Sequence, residues 1–150
     1  MADAGTRTLT ILVVEDDPML ANLVREVLNG VPKWGAVIVH DGAAAREVLR
    51  HVAVDLLVLD VNLPHLSGLD LLSGVRAERR WRDLPVILMS ANPDQRGIED
   101  AVQRSDVTWF LAKPFDLDEL DELVHVATTP EAPGGGQAVW LEERRATPTT

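Results

Sequence analysis

The chain contains no cysteine. That excludes a disulfide framework, a thiol nucleophile and a cysteine-based zinc site. Basic residues are scarce: 14 Lys and Arg stand against 24 Asp and Glu, a formal net charge of -10. Nucleic-acid-binding surfaces are normally basic, so no direct contact with nucleic acid is expected. No apolar run approaches the ~20 residues of a membrane span, and the first residues carry no signal-peptide core. The expectation is a cytoplasmic protein that does not touch the membrane. Neither a Gly-x-Gly-x-x-Gly nor a P-loop pattern occurs, which disfavours nucleotide binding. The histidines His40, His51, His65 and His125 share no metal-site spacing and suit surface or helix-end positions, with a place lining a site beside Asp60 as the lesser alternative for His65.

What the chain does have is enough length and apolar content for one domain with a sizeable core: 150 residues, 46% hydrophobic and 25% charged. Short apolar runs recur. Leu9 to Val14, Ala36 to Val39, Leu56 to Leu59, Val86 to Met89 and Val107 to Ala112 read as strands buried on both faces. Between them lie helical spacings: Leu20, Leu23, Val24, Val27 and Leu28; Ala44, Val48 and Leu49; Leu69, Leu72, Val75 and Ala77. A fourth helix is expected to start at Asn92-Pro93-Asp94 and to carry Ile98, Ala101 and Val102. A fifth carries Leu117, Leu120, Leu123, Val124 and Ala127, with Asp116 and Glu119 spaced as a capping box. Strict alternation predicts an α/β fold: a (βα)5 doubly wound parallel sheet with strand order 2-1-3-4-5. The predicted organisation is a loose N-terminus over 1–8, a domain over 9–127 and a C-terminal tail over 128–150. The tail is rich in Thr, Pro and Gly, with an apolar island at Ala138-Val139-Trp140-Leu141.

Four pieces follow the predicted strands: Glu15-Asp16-Asp17, Asp60, Ser90 and Lys113-Pro114. Parallel strands bring their carboxyl ends to one edge, where ligands bind in such sheets. A carboxylate cluster there repels itself unless a cation joins it. Magnesium takes oxygen ligands, often one or two carboxylates with several waters. An aspartate beside such an ion can act as a nucleophile toward a phosphoryl group, while an ammonium and a hydroxyl receive its oxygens. Asp17, just before Pro18, reads as a helix cap rather than a ligand. The arginines from Arg76 to Arg82 read as a solvated helix end. Trp109 is open between core and docking face, and Trp140 between a loose tail residue and a partner-binding motif.

With these residues in order, the chain resembles a two-component response-regulator receiver domain. The stretches Ile-Leu-Val-Val-Glu-Asp-Asp-Pro, Leu-Val-Leu-Asp-Val-Asn-Leu-Pro-His-Leu-Ser-Gly and Lys-Pro-Phe carry the likeness across residues 9–127. The resemblance implies a flavodoxin-like fold with Asp60 as phosphoacceptor. It implies Mg2+ held by Glu15, Asp16, Asp60 and the main-chain carbonyl of Asn62. Ser90 and Lys113 match the phosphoryl-binding positions, Phe110 the switch aromatic, and Pro114 the proline after a cis bond. Asn62 and Asn92 match positions that flank the phosphoryl group. The loop Asp106-Val107-Thr108-Trp109 departs from the family's common Gly-Ala-Asp-Asp.

The function implied is a phosphorylatable response regulator. Its partners would be a histidine kinase or phosphotransfer protein, and an unknown downstream protein. It would not be an enzyme beyond assisting its own phosphorylation and dephosphorylation, and the short tail is not expected to form an output domain. A phosphorylation-independent adaptor on the same fold is the alternative. A haloacid-dehalogenase-like phosphatase fits less well, because its Asp-x-Asp follows the first strand; here Asp60 follows the third and Asn62 stands two residues on.

Overall fold

Strands and helices alternate along residues 8–129, the part of the chain that the computed structural model describes. In order they are β1 (Leu9–Val14), α1 (Pro18–Asn29), β2 (Trp34–Val39), α2 (Gly42–His51) and β3 (Leu56–Asp60). Then come α3 (Gly68–Ala77), a 3-10 turn (Arg79–Trp81), β4 (Val86–Ser90), α4 (Ile98–Gln103), β5 (Thr108–Ala112) and α5 (Leu117–Thr128). The strands form one parallel sheet in the order β2-β1-β3-β4-β5, as the sequence predicted. Every residue of β3 and β4 is buried. Continuous apolar runs such as Leu56 to Leu59 form strands because helices cover both faces, and each large side chain so enclosed contributes roughly 1.5–3 kcal/mol.

Local chemistry starts the helices. The Asp17 carboxylate accepts from the Met19 N–H at 3.0 Å, ahead of Pro18 in the first turn of α1. Asp41 accepts from Ala44 N–H at 2.8 Å, and Ser67 from Leu69 N–H at 3.2 Å. Glu119 reaches back to the Asp116 N–H at 3.0 Å, closing the expected capping box. No helix of the described residues is long and apolar enough to cross a membrane.

Three expectations are corrected. Helix α4 begins at Ile98, not at Asn92. The Asn92 N–H is taken by Ser90 Oγ at 3.0 Å and Gln95 N–H turns back to Asn92 O at 3.1 Å. Gly97 then sits in the left-handed region at φ 95°, so residues 92–97 are held as a loop. Strand β2 starts two residues early, at Trp34, which is buried. Arg76 is not a solvated residue. Its guanidinium donates to the carbonyls of Leu84 (2.6 Å), Trp81 and Arg82 (both 3.1 Å) and Val107 (3.3 Å), and to Thr108 Oγ1 (2.9 Å). It ties the end of α3 to the segments entering β4 and β5. Burial lowers its pKa, with Asp83 opposing, yet a guanidinium stays charged in proteins.

Trp109, left open by the sequence, is core: it is 3% exposed in β5. The predicted 1–8 and 128–150 stretches lie outside the described residues apart from Thr8, Thr128 and Thr129. Helix α5 ends at Thr128, one residue beyond the predicted domain boundary.

Candidate functional site

The strand order reverses between β1 and β3, which send their neighbours to opposite sides, and this is where a doubly wound sheet opens a crevice. Glu15 and Asp16 leave the end of β1 there, and Asp60 ends β3 beside them. One carboxylate oxygen from each of Glu15, Asp16 and Asp60 lies within 4.8 Å of the others. Among the described residues this is the one group of acidic, histidine or cysteine side chains arranged to hold a metal ion. Its all-oxygen donor set suits a hard cation such as Mg2+.

Glu15 is fully buried and Asp60 nearly so, whereas Asp16 is exposed. Lys113, at the start of the β5–α5 loop, joins the two buried carboxylates. Its Nζ donates to Glu15 Oε1 at 2.6 Å and to Asp60 Oδ2 at 3.1 Å. The bond from Lys113 to Pro114 is cis, as the resemblance implied. Burial pushes the Glu15 carboxyl up to about 7. The Lys113 hydrogen bond and the Asp17 N–H oppose that rise, and Asp60 adds to it. For Lys113, burial works to lower the pKa, but the hydrogen bond to Glu15 and the Asp60 charge outweigh it and hold the ammonium above its ordinary value. The pair is thus a cation held firmly against one carboxylate too many, the electrostatic condition for taking up a second cation.

Backbone contacts fix the rest of the rim. Asn62 N–H donates to Asp60 Oδ1 at 2.9 Å, leaving Oδ2 to Lys113. The loop after β3 folds back so tightly that Gly68 N–H meets Val61 O at 2.8 Å. A methyl group on Gly68 would overlap the Asp60 carbonyl oxygen and lie 2.8 Å from Val61 Cα. Lys113 N–H donates to Ser90 O at 2.8 Å, locking the ends of β4 and β5 together. The Ser90 hydroxyl is buried. It accepts from Asn92 N–H and, at 3.4 Å, from Asn62 Nδ2, and it donates toward Asn92 O at 3.3 Å and Gln95 Oε1 at 3.5 Å.

The structure therefore gathers Glu15, Asp16, Asp60, Asn62, Ser90 and Lys113 at one edge. Phe110 is elsewhere in β5, buried at 7% exposure in the core. His65, at φ 67°, lines an open groove of ≈580 Å³ with Asp16, Asn62 and Gln95, beside the cluster rather than in it. Sequence reasoning missed two contributors. The His40 ring meets Glu15 O at 2.9 Å; nothing in its spacing announced that. Gln95 reaches Ser90 only because residues 92–97 are loop.

Comparison with known proteins finds relatives of this chain. The family model described as the response regulator receiver domain matches residues 11–125. The chemotaxis protein CheY of Pseudomonas aeruginosa is 31% identical over 116 residues, covering 77% of this chain and 93% of that protein. The response regulator protein PmrA of the same species is 38% identical over 123 residues, 80% of this chain but 52% of PmrA, so this chain spans about half of that relative. A crystal structure of the receiver domain of a Pseudomonas aeruginosa sensor histidine kinase, with a magnesium ion coordinated in its active-site cleft, matches with a TM-score of 0.69 at 29% identity. It covers 79% of this chain and 95% of that one.

Proposed function

Because this chain belongs to the response regulator receiver family, we propose that it is a phosphorylatable switch of two-component signalling with Asp60 as its phosphoacceptor. The observation that carries this reading is the Lys113 ammonium standing within hydrogen-bond reach of both Glu15 and Asp60, at the edge where the carboxylate trio converges. A structural ion pair would need one carboxylate. Three, with a lysine and a buried hydroxyl beside them, suit a site that exchanges ions and anions.

In the proposed reaction an Asp60 carboxylate oxygen attacks the phosphorus of a phosphohistidine on a histidine kinase or phosphotransfer protein. A P–O bond forms as the P–N bond breaks, and the bonding pair leaves with the imidazole, which takes up a proton from solvent. Glu15, Asp16, Asp60 and the Asn62 main-chain carbonyl would hold Mg2+, which supplies positive charge against the phosphoryl oxygens when bound. Lys113 swings a donor from Glu15 to a phosphoryl oxygen. Ser90 turns its hydroxyl to another. Asn62 and Asn92, on the two loops flanking Asp60, border the approach of a hydrolytic water. The readout is a change in the face formed by α4, β5 and α5, with Phe110 altering its rotamer, and an unknown downstream protein recognises that face.

The test is direct. The full chain is incubated with a small acyl-phosphate donor and Mg2+, and intact mass is measured. A phosphate-sized gain that disappears in Asp60→Asn supports the reading. No gain with any donor, while Mg2+ still binds, would favour an adaptor that keeps the fold without the chemistry. Rapid turnover of unrelated phosphoesters would point to a hydrolase.

A further inference from the structure

The two edges of the sheet are protected unequally. At one edge, the first four residues of β5 are buried. At the other, β2 is buried only at Trp34, and Gly35 to Val39 are each half-exposed. Strand β2 reads Trp-Gly-Ala-Val-Ile-Val, without a charge or a proline, and its register with β1 runs unbroken, with no bulge. Edge strands are usually blunted by charges, proline or bulges, because their unpaired groups template another strand. None of these devices lies within β2.

Backbone bonds fix which groups face outward. Lys33 O accepts from Leu9 N–H at 2.7 Å and Val39 O from Glu15 N–H at 3.1 Å. The odd-numbered residues of β2 therefore bond to β1, and the even-numbered ones face out. Two outward donors are already taken: Trp34 N–H by Val31 O at 3.0 Å and Ala36 N–H by Asn29 Oδ1 at 3.1 Å. Among the described residues, nothing meets the Ile38 N–H, the His40 N–H or the outward carbonyls of Ala36 and Ile38. The first half of the edge thus offers only acceptors, and donors remain only from Ile38 onward.

That pattern is complementary to itself. Antiparallel pairing centred on Ile38 sets the first half of one edge against the second half of the other. Each Ile38 N–H then meets the partner's Ile38 O, and each His40 N–H meets the partner's Ala36 O, without displacing Asn29. Charge agrees with this register. Lys33 leaves one end of β2 and Asp41 the other, and both are exposed. The pairing brings each Lys33 diagonally toward the partner's Asp41, within reach of a long side chain. The net charge of -10 on each copy opposes association, and an edge contact of this length is small, so the dimer is reversible and forms at high protein concentration.

We propose that β2 pairs antiparallel with β2 of a second copy of this chain, about a two-fold axis at Ile38, joining the two sheets into one. The pairing does not depend on the phosphotransfer reading.

Sedimentation velocity of the full chain in physiological salt, from low micromolar to near-millimolar concentration, should show a reversible monomer–dimer equilibrium. Lys33→Glu sets a second negative charge against the partner's Asp41 and should weaken the dimer several-fold. Lys33→Glu/Asp41→Asn keeps a side-chain oxygen for the Ala44 N–H and should recover part of that loss. Ile38→Pro removes the central donor from both copies and should weaken the dimer ~10-fold or more; an edge strand accepts proline where the N–H faces outward. If that variant fails to fold by circular dichroism, Lys33→Glu still decides. The absence of native cysteine adds a test of register. Opposed Cα atoms in a hydrogen-bonded antiparallel pair lie ~5.5 Å apart, within disulfide reach. Mild oxidation of Ile38→Cys should therefore give several-fold more covalent dimer than oxidation of Val52→Cys, an exposed position beyond the end of α2. A monomer at every concentration overturns the proposal. So does a dimer indifferent to Lys33→Glu, with equal cross-linking at the two cysteine positions, because its interface would lie elsewhere. None of these readouts involves Asp60 or Mg2+, so the failure of one reading does not mimic the failure of the other.

Discussion

Glu15 makes a sharp test of the site's electrostatics, because its carboxyl is fully enclosed and no solvent screening softens it. Burial raises its pKa from the ordinary 4.5 to about 7. At 1.36 kcal/mol per pH unit, that difference corresponds to ~3 kcal/mol. The native state binds the extra proton between these two values, so stability falls as pH climbs through that window. The favourable contribution is complete below about 4.5 and gone above about 7. Without metal, the wild-type protein at pH 8 therefore carries a charge that folding opposes. Replacing Glu15 by Gln keeps an oxygen acceptor for Lys113 and removes the charge. The variant should match wild type near pH 4.5 and exceed it by up to ~3 kcal/mol at pH 8, on the order of 10 °C in Tm for a domain of this size. Magnesium reverses the order, since its ligands must be deprotonated and it binds the native state alone. Added Mg2+ should raise the wild-type Tm more at pH 8 than at pH 5.5, and raise that of Glu15→Gln little at either pH. Thermal unfolding followed by far-UV circular dichroism, with and without Mg2+ across this range, measures all four. Parallel pH profiles for the two proteins, or a Glu15→Gln variant less stable than wild type at pH 8 without metal, would refute the reasoning.

Three further outcomes are expected. Lys113→Met leaves Glu15 and Asp60 without their shared cation; it should tighten Mg2+ binding in a fluorescence or calorimetric titration yet slow the phosphate-sized mass gain by about 10²-fold or more, the scale of losing one electrostatic partner in a transition state. Arg76→Met strips donors from the carbonyls of Trp81, Arg82, Leu84 and Val107; urea unfolding should show a loss of roughly 3–5 kcal/mol with Mg2+ affinity at the intact site nearly unchanged. Gly68→Ala drives a methyl into the Asp60 carbonyl and should cost ~2 kcal/mol or more, with slower mass gain because the backbone carrying Asp60 has to move.

Periodicity made the sheet legible. Runs such as Leu56 to Leu59 have no polar member to face water, which suits short strands covered on both faces, and the alternation with helical spacings then points to the topology. The site was legible for the same reason: its residues sit immediately after those runs. What stayed hidden depends on contacts between residues far apart in sequence. Arg76 looked like one of a cluster of solvated arginines. The structure distinguishes it, because only Arg76 lies on the α3 turn that faces the strand entries of β4 and β5. Trp109 ends the stretch that departs from the family's usual loop, and the sequence left it open between core and docking face. It is enclosed because β5, although an edge strand, is covered along its length, with the first four of its five residues buried. The α4 boundary was misread because Asn-Pro-Asp resembles a helix start, whereas the Ser90 hydroxyl captures the Asn92 N–H and ends β4 in a tight turn instead.

That capture bears on how the proposed switch would work. A hydroxyl has one proton, and Ser90 directs it toward Asn92 O and Gln95 Oε1. If the proton turns to a phosphoryl oxygen on Asp60, both loop acceptors lose it, and the loop that precedes the six-residue α4 is freed at its first turn. Exchanging a neutral hydrogen bond for a charge-assisted one favours the new state by ~1 kcal/mol. Reversing a two-state population from 1:99 to 99:1 needs ~5.5 kcal/mol. Ser90 alone therefore biases the loop only about fivefold, and a full reversal needs further contributions, with Lys113 placed to make one. Its 2.6 Å bond to buried Glu15 spans the ends of β1 and β5, so withdrawing that ammonium toward a phosphoryl group alters the strand end to which the Ser90 carbonyl is also tied. On the proposed reading, serine and lysine act on the same joint between β4 and β5 and respond to one phosphoryl group together.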